Sequence, residues 1–165
     1  MTHDPLPPVR LSVVLEAGCR TIEQHIDDYL ARRGGPTVAA RRLGEAVAAL
    51  REHIYVQEEL VFPLLREAGM EGPVHAMSLD HYQLWETLDR LDADLATPGT
   101  PDVRTAARIL QAELDRHTST ERPVILAHVE DTLTERQQAT LLNQLSHAHT
   151  PPGWTCADPS EPGQL

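Results

Sequence analysis

Four long stretches of this chain, separated by Pro and Gly, carry apolar residues at three- and four-residue intervals, the pattern of a helix with one buried stripe. The breaks fall at Gly34-Gly35-Pro36, at Gly69 to Pro73 and at Thr97 to Pro101. Further prolines lie at Pro5, Pro7 and Pro8 and after Thr150. In the third stretch Met77, His81, Leu84, Leu88, Leu91 and Leu95 alternate strictly by four and three. The fourth repeats the pattern with Val103, Ala107, Leu110, Leu114, His117, Glu121, Val124 and His128. Leu11, Val14 or Leu15, Gly18, Ile22, His25 and Tyr29 share a face in the first. In the second that face holds Leu43, Val47, Leu50, His53 or Ile54, Gln57, Val61 and Leu64. No run alternates with period two. The expectation is an all-α fold, an up-and-down antiparallel four-helix bundle.

A short fifth helix is expected from about Thr134 to His147, with Thr134 as N-cap and Leu141 and Leu142 as its apolar pair, capping the bundle. Residues 1–149 form one domain, which a chain of 165 residues can build around a continuous core. The tail, residues 150–165, holds four prolines and two glycines in 16 residues and reads as disordered.

Aromatics are only 4% of the chain, so Leu, Val, Ile and Ala must fill the core. The net charge of -11 repels phosphate backbones and anionic lipid, which argues against nucleic acid and membrane partners. Cys19 and Cys156 form no zinc-type pair and read as free thiols, Cys19 as a small buried residue. Neither a signal peptide nor a membrane-length apolar run is present, so a cytoplasmic protein is expected.

Each of the four stripes carries a histidine in its middle or later turns: His25, His53, His81 and His117, with His128 further along the fourth. Gln57 follows His53 and Glu121 follows His117 by four residues, so each pair projects from one helix face as a chelate would. Glu121 is the most telling of these, because a glutamate among Leu, Val and Ile needs a cation to pair with. Imidazole and carboxylate donors suit iron, and also zinc, manganese or copper. His3, His147 and His149 lie in the ends, His75 at a helix start, and His128 roughly 16 Å beyond His117 along the axis. Depth fits one pair of stripe histidines better than the other. His81 and His117 flank their loop symmetrically, whereas His25 and His53 would be offset by about 12 Å if all were regular helix, so that either the second helix begins well after Pro36 or the helices tilt strongly.

These residues resemble the hemerythrin-like, or HHE cation-binding, domains over about Leu11 to Gln144. His53 to Pro63 (HIYVQEELVFP) is similar to the family's His, three residues, Glu, then a Glu-rich turn ending in Phe-Pro. His117 to Glu121 (HTSTE) is similar to the second such motif. Asp80-His81 takes the place of the third-helix acidic-His pair, and His25 that of the first-helix histidine. The spacings of 28, 28 and 36 residues between the histidines also resemble the family's. The resemblance implies a non-haem iron site inside the bundle. Two irons bridged by carboxylates and oxygen are the family arrangement, and a single iron is the alternative.

The chain departs from that pattern at Gln57, a neutral amide that cannot bridge two cations. Glu58 stands about 140° around the helix from His53 and would reach the site only through a local distortion such as a π-bulge, which Pro63 favours by removing the hydrogen bond to the Glu59 carbonyl. Otherwise Glu58, Glu59 and Asp28 are solvated charges. Pro123 should kink the fourth helix, and Tyr29 and Trp85 either orient imidazoles from one turn away or fill the core.

The implied functions are binding or sensing of dioxygen, nitric oxide or iron, including in response to nitrosative or oxidative stress. An oxidoreductase that consumes peroxide or oxidises ferrous iron is the alternative. A helical interaction protein with a decayed site is the third reading. The metal candidates are His25, His53, His81, His117, Glu121, Glu58 and Gln57.

Overall fold

A computed structural model describes residues 9–96 and 102–161, and within these the chain is helical without strands. Helix α1 spans Leu11–Leu30 and α2 spans Pro36–Val56. A π-helical turn, Gln57–Val61, joins α2 to α3, Phe62–Glu67. Helices α4 (Glu71–Ala96) and α5 (Val103–Glu121) follow, and a second π-turn, Arg122–Leu126, leads to α6 (Val129–Thr132) and α7 (Glu135–Leu145). Helix α1 packs on α2 and α5, and α4 packs on α5 and α2, which closes the four-helix ring. The loop anticipated at Thr97 to Pro101 lies outside the described residues.

Local chemistry accounts for the ends of these elements. Gly34 and Gly35 hold φ of +78° and +88° in the turn between α1 and α2, a region that disfavours side chains, and Pro36 then opens α2 with its φ already helical. Arg10 gives α1 no side-chain cap, and the Glu130 carboxylate fills the gap by accepting from Ser12 N–H at 2.8 Å. Thr134 and Gln137 form a reciprocal capping box at the start of α7.

The core divides into two apolar layers. One holds Ile22, Ile26, Leu43, Leu50, Leu84, Leu88, Leu110 and Leu114, the other Leu11, Leu15, Val61, Phe62, Leu65, Met77, Ile125 and Val129. Leu141 of α7 closes the second layer, as a capping helix should. Between the layers each stripe passes through a polar position: Cys19, His53 with Gln57, His81, and His117 with Glu121. His25 is not in this plane, since its neighbours Ile22 and Ile26 belong wholly to the first layer.

The antiparallel register of α1 and α2 is fixed by charge. Asp28, 4% exposed, accepts from Gln24 at 2.9 Å and Arg33 at 2.8 Å, and pairs with Arg42 of α2. Burial raises the Asp28 carboxyl, but these three cationic and amide partners outweigh it and hold the pKa below its ordinary 3.8. The sign follows: stability from Asp28 is complete above the unfolded value and is lost as pH falls through the lower folded one. Asp28→Asn is therefore expected to lower Tm at neutral pH and to converge with the wild type as pH falls below the ordinary carboxylate range. Parallel melting curves across the whole acid range would contradict this.

The tail departs from expectation. Residues 150–161 are not a disordered appendage: Trp154 packs edge-on against Tyr55 at 5.2 Å and Trp85 at 5.1 Å and donates to Glu59 Oε1 at 2.9 Å. Cys156 is buried in the first apolar layer. A proline-rich composition disfavours helix, yet one large ring can still anchor an irregular segment by covering apolar surface. Trp154→Ala is expected to cost about 1 kcal/mol, to shift the fluorescence of the remaining tryptophan to the red, and to expose the tail to protease. Unchanged emission would show that Trp154 does not cover Trp85. No helix among the described residues is long and apolar enough to cross a membrane.

Candidate metal centre

The polar layer places three imidazoles together. The ring centres of His81 and His117 are 4.9 Å apart, and His53 lies 6.2 Å from the first and 6.1 Å from the second. One ring nitrogen from each lies within 4.8 Å of the others, a spacing open to a shared ion. A second group joins at His53, where Cys19 Sγ, the His53 ring and the Glu121 carboxylate also converge within 4.8 Å. Glu121 is fully buried, and its Oε1 lies 3.5 Å from His53 Nε2 and its Oε2 3.8 Å from His117 Nε2. Burial disfavours the charged form of Glu121, but His53, His117 and the Gln57 amide outweigh it and keep it ionised.

The first π-turn re-aims two side chains. Phe62 N–H bonds to the Gln57 carbonyl five residues back, and the widened turn lets Gln57 and Glu58 both face inward. Gln57 donates from Nε2 to Glu121, while its Oε1 is buried without a partner. Glu58 Oε1 lies 2.8 Å from His81 Nδ1, and its Oε2 accepts from Ser78 at 3.0 Å. With the proton on Nδ1 and donated to Glu58, His81 Nε2 is left as a lone-pair donor, and that atom has no hydrogen-bond partner. Burial, with His117 and His53 nearby, outweighs Glu58 and pushes the His81 pKa down to about 4, which keeps the ring neutral as a metal ligand must be. Phe62 stacks on the His81 ring at 5.3 Å with the planes 3° apart. Both nitrogens of His117 also lack hydrogen-bond partners, although Asp80 stands 3.9 Å from Nδ1.

Buried polar atoms without partners are uncommon in a folded interior and costly. Here His81 Nε2, both His117 nitrogens and Gln57 Oε1 are such atoms in one layer, so the residues present fit a bound cation. The second π-turn follows Glu121 directly, at the helix Pro123 was expected to kink, and Ala127 N–H bonds to the Arg122 carbonyl. A solvent-facing cavity of about 670 Å³ reaches Glu58 and Ser78 from outside and is walled by Arg66, His75 and Trp154.

Of the histidines placed on the stripes from sequence, the structure unites His53, His81 and His117, with Gln57 and Glu121 among them and Glu58 behind His81. It leaves His25 outside. That side chain is 23% exposed and its Nδ1 lies 3.9 Å from Glu45. Because α2 begins at Pro36, His25 and His53 do not stand level, and the α1 residue beside His53 is Cys19. Trp85 lies in the first apolar layer under the Arg51 guanidinium, 4.4 Å from its ring centre, and Tyr29 packs on the same layer, as core-filling aromatics do. Asp28 is consumed by its arginines, Glu59 by Trp154, and His75 and His128 are exposed. Cys19 escaped the sequence reading, although its distance from the α1–α2 turn carried the signal.

An antiparallel four-helix bundle with buried imidazoles and a carboxylate facing one another across its centre defines a class of metal-binding helical protein. The hemerythrin HHE cation-binding domain model matches residues 14–149, and the chain belongs to that family. No curated protein and no solved structure matches it.

Proposed function

We propose that this protein holds non-haem iron in the polar layer of its bundle and uses it to bind or sense a small diatomic ligand, dioxygen or nitric oxide, in the cytoplasm. The observation that carries this reading is the set of buried imidazole nitrogens without hydrogen-bond partners, His81 Nε2 and both of His117, in the same layer as a fully buried Glu121 whose Oε2 lies 3.8 Å from His117 Nε2. Nitrogen and carboxylate donors are those iron accepts, and iron so held supplies reversible redox chemistry toward such ligands. His53, His81 and His117 would hold it, with Glu121 as the anionic ligand. Glu58 would fix the tautomer and the angle of His81. Phe62 and the two apolar layers keep bulk water from the centre.

Gln57 in place of a second carboxylate favours one iron over a bridged pair, because its amide carries no charge to share between two cations. Anaerobic loading with ferrous iron, with iron counted per chain and the spectrum recorded before and after oxygen or nitric oxide, tests the reading. The expected result is about one iron per chain and a spectral change that reverses when the gas is removed. Two irons with an oxo-bridge band would restore the bridged pair. Sustained peroxide consumption above that of free iron would favour an oxidoreductase. Binding of less than a tenth of an equivalent of any metal would leave a helical interaction protein.

A further inference from the structure

We propose that Cys19 is a thiolate ligand of the bound metal, so that α1 contributes sulfur to the centre. The inference rests on the metal-site reading above. Cys19 is 1% exposed, and its Sγ faces the polar layer rather than either apolar one. It lies 3.4 Å from Glu121 Oε2 and 3.8 Å from both ring nitrogens of His53, while His53 Nε2 and Glu121 Oε1 are 3.5 Å apart. Donor atoms at about 2.3 Å for sulfur and about 2.0 Å for nitrogen or oxygen around a tetrahedral ion stand about 3.5 Å from one another. Each separation is close to that spacing, with Glu121 presenting Oε2 to Cys19 and Oε1 to His53, and one ligand atom from each of the three residues lies within 4.8 Å of the others. The donor atoms of His53, His81 and His117 also lie within 4.8 Å of one another, and His53 belongs to both groups.

Two further donor atoms lie in the same layer. Gln57 Oε1 and His117 Nε2 are fully buried and without hydrogen-bond partners, and each belongs to a side chain in contact with Glu121. Either supplies a fourth donor. Charge gives an independent argument. A divalent cation in a dry interior needs anionic ligands to offset its desolvation. Gln57 is neutral, which leaves Glu121 as the one carboxylate in this half of the site. A Cys19 thiolate restores the second negative charge. On binding, the Sγ–H bond breaks, the metal–sulfur bond forms, and the proton leaves to solvent. Soft sulfur shifts the preference of this half toward iron, zinc or cobalt and away from manganese.

Cobalt(II) titration of the full chain under anaerobic, reducing conditions is the test. The wild type is expected to develop a near-ultraviolet sulfur-to-cobalt charge-transfer band that saturates with bound cobalt. Cys156→Ser, which removes the thiol outside the site, should retain the band. Cys19→Ser should lose it and bind cobalt at least about tenfold more weakly. X-ray absorption of cobalt-loaded Cys156→Ser needs no change at the site and should show one sulfur scatterer at about 2.3 Å, which keeps the test decisive if Cys19→Ser does not fold. Cobalt bound without the band, or without the sulfur scatterer, overturns the thiolate and leaves the metal site standing. Absence of bound cobalt and of bound iron overturns the metal-site reading and the thiolate with it.

Discussion

Glu121→Gln is expected to give a folded apoprotein that binds metal at least about 100-fold more weakly than the wild type, beyond the range for losing an outer partner of a ligand. The carboxylate is fully buried and sits between His53, His117 and Gln57, so it is the charge that a cation would neutralise. The glutamine side chain has nearly the same volume, which preserves packing. The effect is visible in thermal unfolding. Metal at a hundred times its dissociation constant stabilises the wild type by about 2.7 kcal/mol, on the order of 5–10 °C in Tm for a chain of this size. At the same metal concentration the variant should gain only about 1 °C. A full metal complement and an undiminished shift in Glu121→Gln would show that the buried carboxylate is not a ligand.

Phe62→Ala is expected to be the most damaging core change near the site, costing about 3–5 kcal/mol, or roughly 6–20 °C in Tm. Phe62 has no exposed surface, belongs to the second apolar layer, and forms the flat wall against which His81 stacks. Its removal leaves a cavity beside a π-turn whose hydrogen bond starts at its own backbone N–H. The imidazole also loses the surface that sets its tilt, so metal affinity should fall together with stability. Calorimetry of the apoprotein separates the two effects, since the packing loss is present without metal. A Tm within about 2 °C of the wild type would mean that the site collapses around the gap.

The bundle was legible because a helix writes its buried face into the chain at three- and four-residue spacing, and Pro and Gly mark the turns. The same periodicity placed His53, His81, His117 and Glu121 on inward faces, since a residue four positions from a buried one on the same helix is buried with it. Thr134 as the cap of the last helix followed from the same local rules. Glu58 required more, because its approach to His81 depends on a π-turn that replaces four-residue hydrogen bonds with five-residue ones. Pro63 signalled that distortion but not which side chains it would turn inward.

The tail was misread for a different reason. Composition reports what a segment can build from its own backbone, and residues 150–161 are held by Trp154 on a surface made by α2 and α4. What the sequence by itself determined is the four helices, their buried faces and, on those faces, His53, His81, His117 and Glu121 with His25 as the candidate from α1, all consequences of periodicity within single helices. Only the tertiary structure decided which residue α1 adds to them. Register between helices is set by contacts such as Asp28 with Arg42, and that register brings Cys19 level with His53 and leaves His25 beside Glu45.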